Sequence, residues 1–171
     1  PNAAPTMPKL CARFSGGELV LLADQDRTLY DRSRIEEGRA ALDRALALQG
    51  RGPYVLQAAI ASLHADEPCD WHEIAALYAE LARLTRSPVV ELNRAVAVAE
   101  TDGAAAALEL VDGLPLGEYR YFHATRGELL RRLSRRDEAR AAYERALALT
   151  PDGAERRFLE RRLAELLGPA A

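Results

Sequence analysis

Cysteine is scarce in this sequence, and so are aromatic residues and long apolar runs. The 171 residues include two cysteines, Cys11 and Cys69, which are too few and too far apart for a disulfide scaffold, so we expect two thiols. No apolar run approaches the roughly 20 residues that a membrane span needs, and the N-terminus lacks the basic and then apolar order of a signal peptide. These absences predict a cytoplasmic protein without a membrane partner.

Neither sign of charge is in large excess. The 23 basic residues, of which only Lys9 is a lysine, face 26 acidic ones, and the formal net charge is −3. A chain with this balance has no overall electrostatic attraction to nucleic acid, so we expect no direct nucleic-acid contact. The preference for arginine and alanine is typical of a GC-rich bacterial genome. A hydrophobic content of 49% at this length fits one globular domain.

The sequence also lacks the local motifs of common enzymes and metal sites. It has no G-x-S-x-G elbow, no phosphate-binding glycine loop, no H-E-x-x-H and no paired-cysteine motif. His64, Cys69 and His72 have the spacing H-x4-C-x2-H, but a single loop then offers three ligands where structural zinc sites use two pairs. We therefore expect no catalytic residues, no cofactor and no metal, and predict that the chain is not an enzyme.

Helical periodicity is what the sequence has in abundance. From about Thr28 onward, apolar residues recur every three or four positions, with breaks at Gly, Pro and Asp. The pattern predicts an all-α fold of eight amphipathic helices, at about residues 28–48, 53–64, 71–84, 88–100, 104–111, 119–133, 137–149 and 152–167. Two capping boxes, from Thr28 and from Ser33, leave two possible starts for the first helix, whereas Asp70 and Asp152 are expected to cap the third and the last.

The N-terminal segment lacks this period. Two short β-prone runs, "ARF" and "ELVLL", flank Gly16 and Gly17, which predicts a small hairpin within residues 12–22. Residues 1–10, "PNAAPTMPKL", have loop composition, and we expect the chain to be a domain of something longer. We divide it into an N-terminal segment with the hairpin, residues 1–27, and a helical domain, residues 28–171.

One internal repeat is clear. In "GELLRRLSRRDEARAAYERALALTP", Gly127, Ala139, Tyr143, Ala146 and Pro151 have the small, small, aromatic, small and proline spacing of a tetratricopeptide unit. The small residues allow two helices to approach closely, and the tyrosine fills the space between helix pairs. Weaker copies lie upstream. The pattern predicts an α-α superhelix, and a scaffold without any special site is the simplest interpretation.

Four longer strings occur in a fixed order. They are "GELVLLADQDRTLYDRSRIEEGRAALDRALAL", "GPYVLQAAIASLHA", "SPVVELNRAVAVAE" and "ERRFLERRLAEL". This order closely resembles the C-terminal extension of a group of bacterial extracytoplasmic-function RNA polymerase sigma factors, over about residues 16–167. The resemblance implies that two sigma domains precede this segment in the same polypeptide and are its partners, with RNA polymerase core as a further partner. DNA binding would then belong to those domains.

The resemblance also implies a role for the stretch that follows the hairpin. In the family, this motif lies where the sigma portion meets the helical extension, so its apolar residues would anchor the junction and its charges would bind the preceding domain. The predicted junction residues are Leu19, Leu21, Leu22, Asp24, Gln25, Asp26 and Arg27. In the structural alternative, Asp24 and Asp26 stabilise the start of the next helix and Arg27 pairs with one of them.

A second set of polar residues is expected on the inner surface of the superhelix, where such folds hold peptides. The candidates are Asn93, Arg94, Tyr119, Tyr121, His123 and Arg126. Buried hydrogen bonds that fix helix pairing are the alternative. Arg131, Arg132, Arg135 and Arg136 resemble a basic patch, but interleaved acidic residues favour a solvated face.

These observations favour a regulatory interaction domain of a sigma factor that modulates transcription initiation. A free-standing peptide-binding scaffold with the same repeat and a small-ligand sensor that uses the concave face remain alternatives.

Overall fold

The computed structural model of the protein describes residues 12–15, 18–21 and 25–168. In this part of the chain, two short strands are followed by eight α-helices. The strands are β1 (Ala12–Ser15) and β2 (Glu18–Leu21), and the helices are α1 (Arg32–Ala47), α2 (Pro53–His64), α3 (Trp71–Thr85), α4 (Pro88–Thr101), α5 (Ala104–Asp112), α6 (Arg120–Arg132), α7 (Arg136–Ala148) and α8 (Ala154–Leu167). The predicted helical repeat fold with a small N-terminal hairpin is confirmed.

Several helices begin where the sequence places a start signal. The Asp70 carboxylate accepts a hydrogen bond of 3.0 Å from the backbone N–H of Glu73, so it caps α3 as predicted. Pro53 and Pro88 occupy the first turns of α2 and α4, where proline loses no hydrogen bond.

The predicted start of α1 is wrong. The carboxylate of Asp26 accepts hydrogen bonds from both the N–H (2.9 Å) and the hydroxyl (2.6 Å) of Thr28, so this hydroxyl does not cap a helix. Residues Arg27–Leu29 form a single 3-10 turn instead. The cap of α1 is Asp31, which accepts from the N–H of Arg34 at 3.1 Å, and Ser33 already lies inside the helix.

The predicted cap of α8 is also wrong. The helix begins at Ala154, after Gly153, which has a φ of 138°. Glycine adopts this backbone conformation without a steric penalty, so the chain completes its turn at Gly153 and Asp152 precedes the turn.

Consecutive helices pack against each other along the chain, and α4 also contacts α6. Short connections between helices of similar length make antiparallel neighbours. Because α4 and α6 are alternate helices, their contact shows that these two helices lie along one side of the stack. This arrangement is an α-α superhelix.

Small residues lie at the centre of the core. Ala95, Ala107 and Ala139 have no exposed surface, and Leu130 and Val111 pack with them where α4, α5, α6 and α7 meet. A second cluster joins α2 to α3 around Ile60 and Ile74, and a third joins α7 to α8 around Tyr143 and Leu159. Alanines at these positions allow the helix axes to approach closely.

The closest approach involves Gly127 in α6. A Cβ atom at this position would lie 2.9 Å from Cδ1 and 3.0 Å from Cε1 of Tyr143 in α7. Tyr143 is 1% exposed and is packed with Ala146 and Leu159, so its ring has no space into which it could move. The predicted close approach of two helices at Gly127 is confirmed, and Tyr143 is the residue that α6 meets there.

The hairpin connects the two ends of the described chain. Ala12 pairs with Leu21 and Ser15 with Glu18 in an antiparallel ladder, and β2 lies against α8. At the other end of the helical stack, α1 contains no fully buried residue and is held to α2 in part by Arg39, whose Nε donates to the Ser62 hydroxyl at 3.1 Å. None of the described helices combines the length and the apolarity that a membrane crossing requires.

A matched pair of glycine substitutions tests the packing. We expect Gly127→Ala to lower the free energy of unfolding by about 1–3 kcal/mol, since its methyl group would overlap the buried Tyr143 ring. We expect Gly38→Ala in α1 to raise it by about 0.5–1 kcal/mol, because a Cβ there meets nothing within 4 Å and alanine favours the helix. Urea unfolding of both variants measures the difference. Equal stability of the two variants would contradict the assigned repeat register.

Candidate protein-interaction surface

Polar side chains link alternate helices along one side of the superhelix. Arg132 of α6 donates from Nη1 to Oε1 of Glu100 in α4 at 2.6 Å, and the Tyr121 hydroxyl of α6 donates to Oε1 of Glu155 in α8 at 2.6 Å. Since these bonds join α4 to α6 and α6 to α8, they lie on one side of the stack. We call this surface the inner face and define it by Glu100, Tyr121, Glu128, Arg132 and Glu155.

At one end of the inner face, three side chains form a closed cluster. Arg120 donates from Nε to Glu155 at 3.1 Å and from Nη2 to the Tyr121 hydroxyl at 3.0 Å. Its guanidinium carbon also lies 4.5 Å from the centre of the Tyr121 ring. Burial and the hydrogen bond to Glu155 raise the pKa of Tyr121 to about 12, so the hydroxyl remains protonated and donates at neutral pH.

Tyr119 lies beside this cluster. Its ring meets that of Tyr121 edge to face, with 5.3 Å between the ring centres. The Tyr119 hydroxyl is buried and has no hydrogen-bond partner among the described residues, and burial raises its pKa. The cluster therefore contains one polar group whose bonding capacity is unused.

At the centre of the inner face, Glu128 binds three other side chains. Its Oε1 accepts from Nη2 of Arg131 at 2.7 Å and from Nε of Arg132 at 3.3 Å. Its Oε2 accepts from Nε of Arg131 at 2.9 Å and from the Tyr143 hydroxyl at 3.0 Å. Through Arg132 the network continues to Glu100, so it spans α4, α6 and α7.

The charge of Glu128 is stabilised by these partners. Burial alone would raise the pKa of this carboxyl, but the hydrogen bonds and the charge of Arg131, together with the Tyr143 hydroxyl, outweigh burial and lower it. Burial and the Glu128 charge raise the pKa of Tyr143, and the hydrogen bonds that Arg131 donates to Glu128 raise the pKa of Arg131. At neutral pH, Glu128 and Arg131 are therefore charged and the Tyr143 hydroxyl keeps its proton.

Two of the predicted inner-surface residues lie on α4. Asn93 is buried, with 8% of its surface exposed. Arg94 donates from Nη1 to Oε2 of Glu91 at 3.1 Å, a bond within the same helix. The structure does not bring these two residues into the Tyr121 cluster, and a binding role for them stays a prediction.

The other four predicted residues lie on or next to α6, in two groups. Tyr119 and Tyr121 meet each other, as described above. His123 contacts the Gly117 carbonyl through Nε2 at 2.7 Å, and Arg126 donates from Nε to Asp112 at the end of α5 at 2.7 Å. His123 and Arg126 therefore hold α6 to the preceding loop and helix, and their predicted binding role is untested.

Sequence reasoning missed Arg120, Glu128 and Glu155. A signal for the last was present, because Tyr121 and Glu155 are 34 residues apart, which is the length of one tetratricopeptide repeat. Residues one repeat apart occupy stacked positions, so a donor and an acceptor at this spacing meet. Three of the arginines that resembled a basic patch are compensated by a carboxylate three or four residues away, since Arg131 and Arg132 bind Glu128 and Arg135 binds Glu138 at 2.7 Å.

The residues with metal-like spacing are used in packing. His64 is buried and its ring lies edge to face with Trp71, 5.5 Å between centres, and Cys69 Sγ lies 3.4 Å from the Asp66 carbonyl. Within the part of the chain that the structure describes, no three His, Cys, Asp or Glu side chains are grouped as a metal site would require. Cys11 lies outside the described residues.

The predicted junction residues are described only in part. Leu22 and Asp24 lie outside the described residues, and Leu19 and Leu21 belong to β2. Gln25 donates from Nε2 to the Val20 carbonyl at 3.3 Å and accepts from the Tyr30 hydroxyl at 2.8 Å. Asp26 caps the 3-10 turn that contains Arg27, and its hydrogen bonds from Thr28 lower its pKa. The described bonds of Asp26 are thus local, and the junction role of these residues stays a prediction.

Comparison with known proteins identifies the repeat. Residues 121–152 match the tetratricopeptide repeat family, so α6 and α7 form such a unit. A protein of Rhizobium meliloti (strain 1021), itself described as uncharacterized, is 47% identical to this chain over 169 residues. The alignment covers 94% of this chain, which spans 40% of the length of that relative. No solved structure matches the chain.

Removing the charge at the centre of the inner face should weaken the fold in a pH-dependent way. We expect Glu128→Gln to lower the free energy of unfolding at pH 7 by about 1–3 kcal/mol, because Arg131 loses its charged partner. The pKa of Glu128 is lowered below 4.5, so the wild-type advantage is complete above this value and disappears as the pH falls through the folded-state pKa. Thermal unfolding between pH 3 and pH 7 measures this.

Glu138→Gln is the matched control. Glu138 also pairs with an arginine three residues away, but both side chains are nearly half exposed, so we expect little change in stability. An equal loss of stability in the two variants would contradict a special role for Glu128.

Proposed function

We propose that this chain is a regulatory protein-interaction domain of an extracytoplasmic-function RNA polymerase sigma factor and modulates transcription initiation. The tetratricopeptide unit at residues 121–152 supports a role in binding proteins. The four ordered strings from "GELVLLADQD" to "ERRFLERRLAEL" support the sigma-factor context. The match covers 40% of the relative, which leaves room in that protein for two further domains.

One feature of the junction carries the proposal. The Gln25 side chain bonds both to the Val20 carbonyl in β2 and to the Tyr30 hydroxyl just before α1. A single side chain thus joins the hairpin to the first helix, and a connector held in this way transmits the position of one element to the other. A free linker would not need such bonds.

The proposal assigns the partners as follows. Sigma domains of the same polypeptide, N-terminal to the hairpin, are the first partner, and RNA polymerase core is the second. The junction residues from Leu19 to Arg27 contact the preceding domain, while the helical domain positions it. Nucleic acid is bound by the sigma domains and not by this segment.

A free-standing peptide-binding scaffold is the second candidate function. The cluster of Arg120, Tyr121 and Glu155 favours it, because a guanidinium, an aromatic ring and a carboxylate on an inner face are groups that bind peptides. The two candidates differ in whether the intact protein binds RNA polymerase.

The junction can be tested in the intact protein that contains this chain. The affected transcripts are those whose level increases when the wild-type protein is induced. We expect Gln25→Ala to lower their level by about two- to tenfold, since a hydrogen bond contributes about 0.5–1.5 kcal/mol. RNA sequencing measures the transcripts, and co-purification measures binding to RNA polymerase core. The temperature at which the helical circular dichroism signal of the chain is lost should be unchanged.

Glu80→Ala is the control, because Glu80 pairs with Arg83 on the exposed surface of α3, away from the junction. It should leave the transcripts unchanged. An intact protein that does not bind RNA polymerase core would exclude the sigma-factor proposal and leave the scaffold. Equal output from wild type and Gln25→Ala would exclude the role of the junction.

A further inference from the structure

The contact between β2 and α8 joins parts of the chain that are far apart in sequence. β2 ends at Leu21 and α8 begins at Ala154, yet the two elements lie against each other. In a simple helical repeat, each element contacts only its neighbours. The hairpin therefore adds a contact that a simple helical repeat would lack.

The face of α8 that meets α7 is already buried in the packing between the two helices. Leu159 is 5% exposed and packs with Tyr143 and Ala146, and Phe158, Leu163 and Leu166 lie around it. A terminal helix of a superhelix also has a second face, which needs a cover. β2 lies against α8 and is therefore a candidate for this cover.

The hairpin is too small to be stable by itself. Each strand has four residues, and an isolated two-stranded hairpin is marginally stable in water. Its order must therefore depend on α8 and on the Gln25 bond to the Val20 carbonyl. A two-stranded element of this size opens locally at a lower free energy than the helical core.

The two partners also differ in charge. Residues 12–26 contain three acidic residues, Glu18, Asp24 and Asp26, and one basic residue, Arg13. α8 contains four arginines, at 156, 157, 161 and 162, against three glutamates, at 155, 160 and 165. An acidic, apolar segment is attracted to such a helix, and the attraction decreases with salt.

From these observations we infer that the part of α8 that contacts β2 is a binding surface for the hairpin, and that the hairpin occupies it reversibly. The segment that binds is β2, paired with β1. The inference does not depend on the sigma-factor proposal. A hairpin segment supplied as a separate peptide should bind α8 when the chain's own hairpin is displaced.

Hydrogen exchange of the full chain, followed by mass spectrometry, tests the docking. We expect Val20→Pro to disrupt the hairpin, since proline removes the N–H of the residue that pairs with Arg13. Amides of α8 should then exchange about tenfold faster, while those of α4 stay unchanged. Val20→Thr, which remains β-branched, is the matched control and should behave like the wild type. Unchanged exchange of α8 in Val20→Pro would overturn the inference.

A peptide experiment tests the surface itself. A synthetic peptide of residues 10–26, with Cys11 replaced by serine, is added to the Val20→Pro chain. It should restore the protection of α8, less effectively at high salt, and should have little effect on the wild type, whose surface is occupied. The same peptide with Val20→Pro is the control. If α8 stays unprotected with the peptide, or if the peptide acts equally on the wild-type chain, the inference is wrong.

Should Val20→Pro also accelerate exchange in α4, the milder Val20→Ala replaces it. The inference then requires that α8 responds more strongly than α4, and equal responses would overturn it. A concentration-dependent dimer of the wild type with protected α8 would assign the surface to the hairpin of a second copy and would contradict docking within one chain.

Discussion

The absence of a side chain at Gly127 is the constraint on which the inner face depends. Because α6 and α7 approach so closely there, the Tyr143 ring lies next to Gly127 and its hydroxyl reaches Glu128 at 3.0 Å. Glu128 then orients Arg131 and Arg132, and Arg132 reaches Glu100 in α4. One close helix contact thus fixes a polar network that extends over three helices.

Burying the charge of Glu128 is unfavourable, and the geometry of the network offsets this cost. Burial disfavours the charge of Glu128, but four hydrogen bonds from Arg131, Arg132 and Tyr143 compensate it, so the carboxyl has a lowered pKa. Removing a single partner would leave a partly buried charge with incomplete pairing. This is more destabilising than replacing both charged partners by apolar residues. These residues are therefore structural as well as surface groups.

The helices could be predicted from the sequence because their signals are local. Asp70 and the prolines of α2 and α4 act within one turn of their own position, and the spacing from Gly127 to Tyr143 belongs to one repeat. The start of α1 could not be predicted in this way, since Thr28 is bound by Asp26. Most of the inner face was also missed, because Glu155 becomes relevant only when α8 stacks on α6. The contact of β2 with α8 depends on the whole superhelix and has no local signal.

The charges of the inner face bear on how a partner could bind. Arg120 is held by Glu155, Arg132 by Glu100 and Glu128, and Arg131 by Glu128. A partner that uses these arginines must exchange one carboxylate for another, so part of its binding energy replaces bonds already present. Such exchange gives modest affinity. It also makes the affinity strongly dependent on where the partner places its carboxylates. A domain that holds a neighbouring segment of its own polypeptide needs little intrinsic affinity, because the covalent connection raises the effective concentration of that segment.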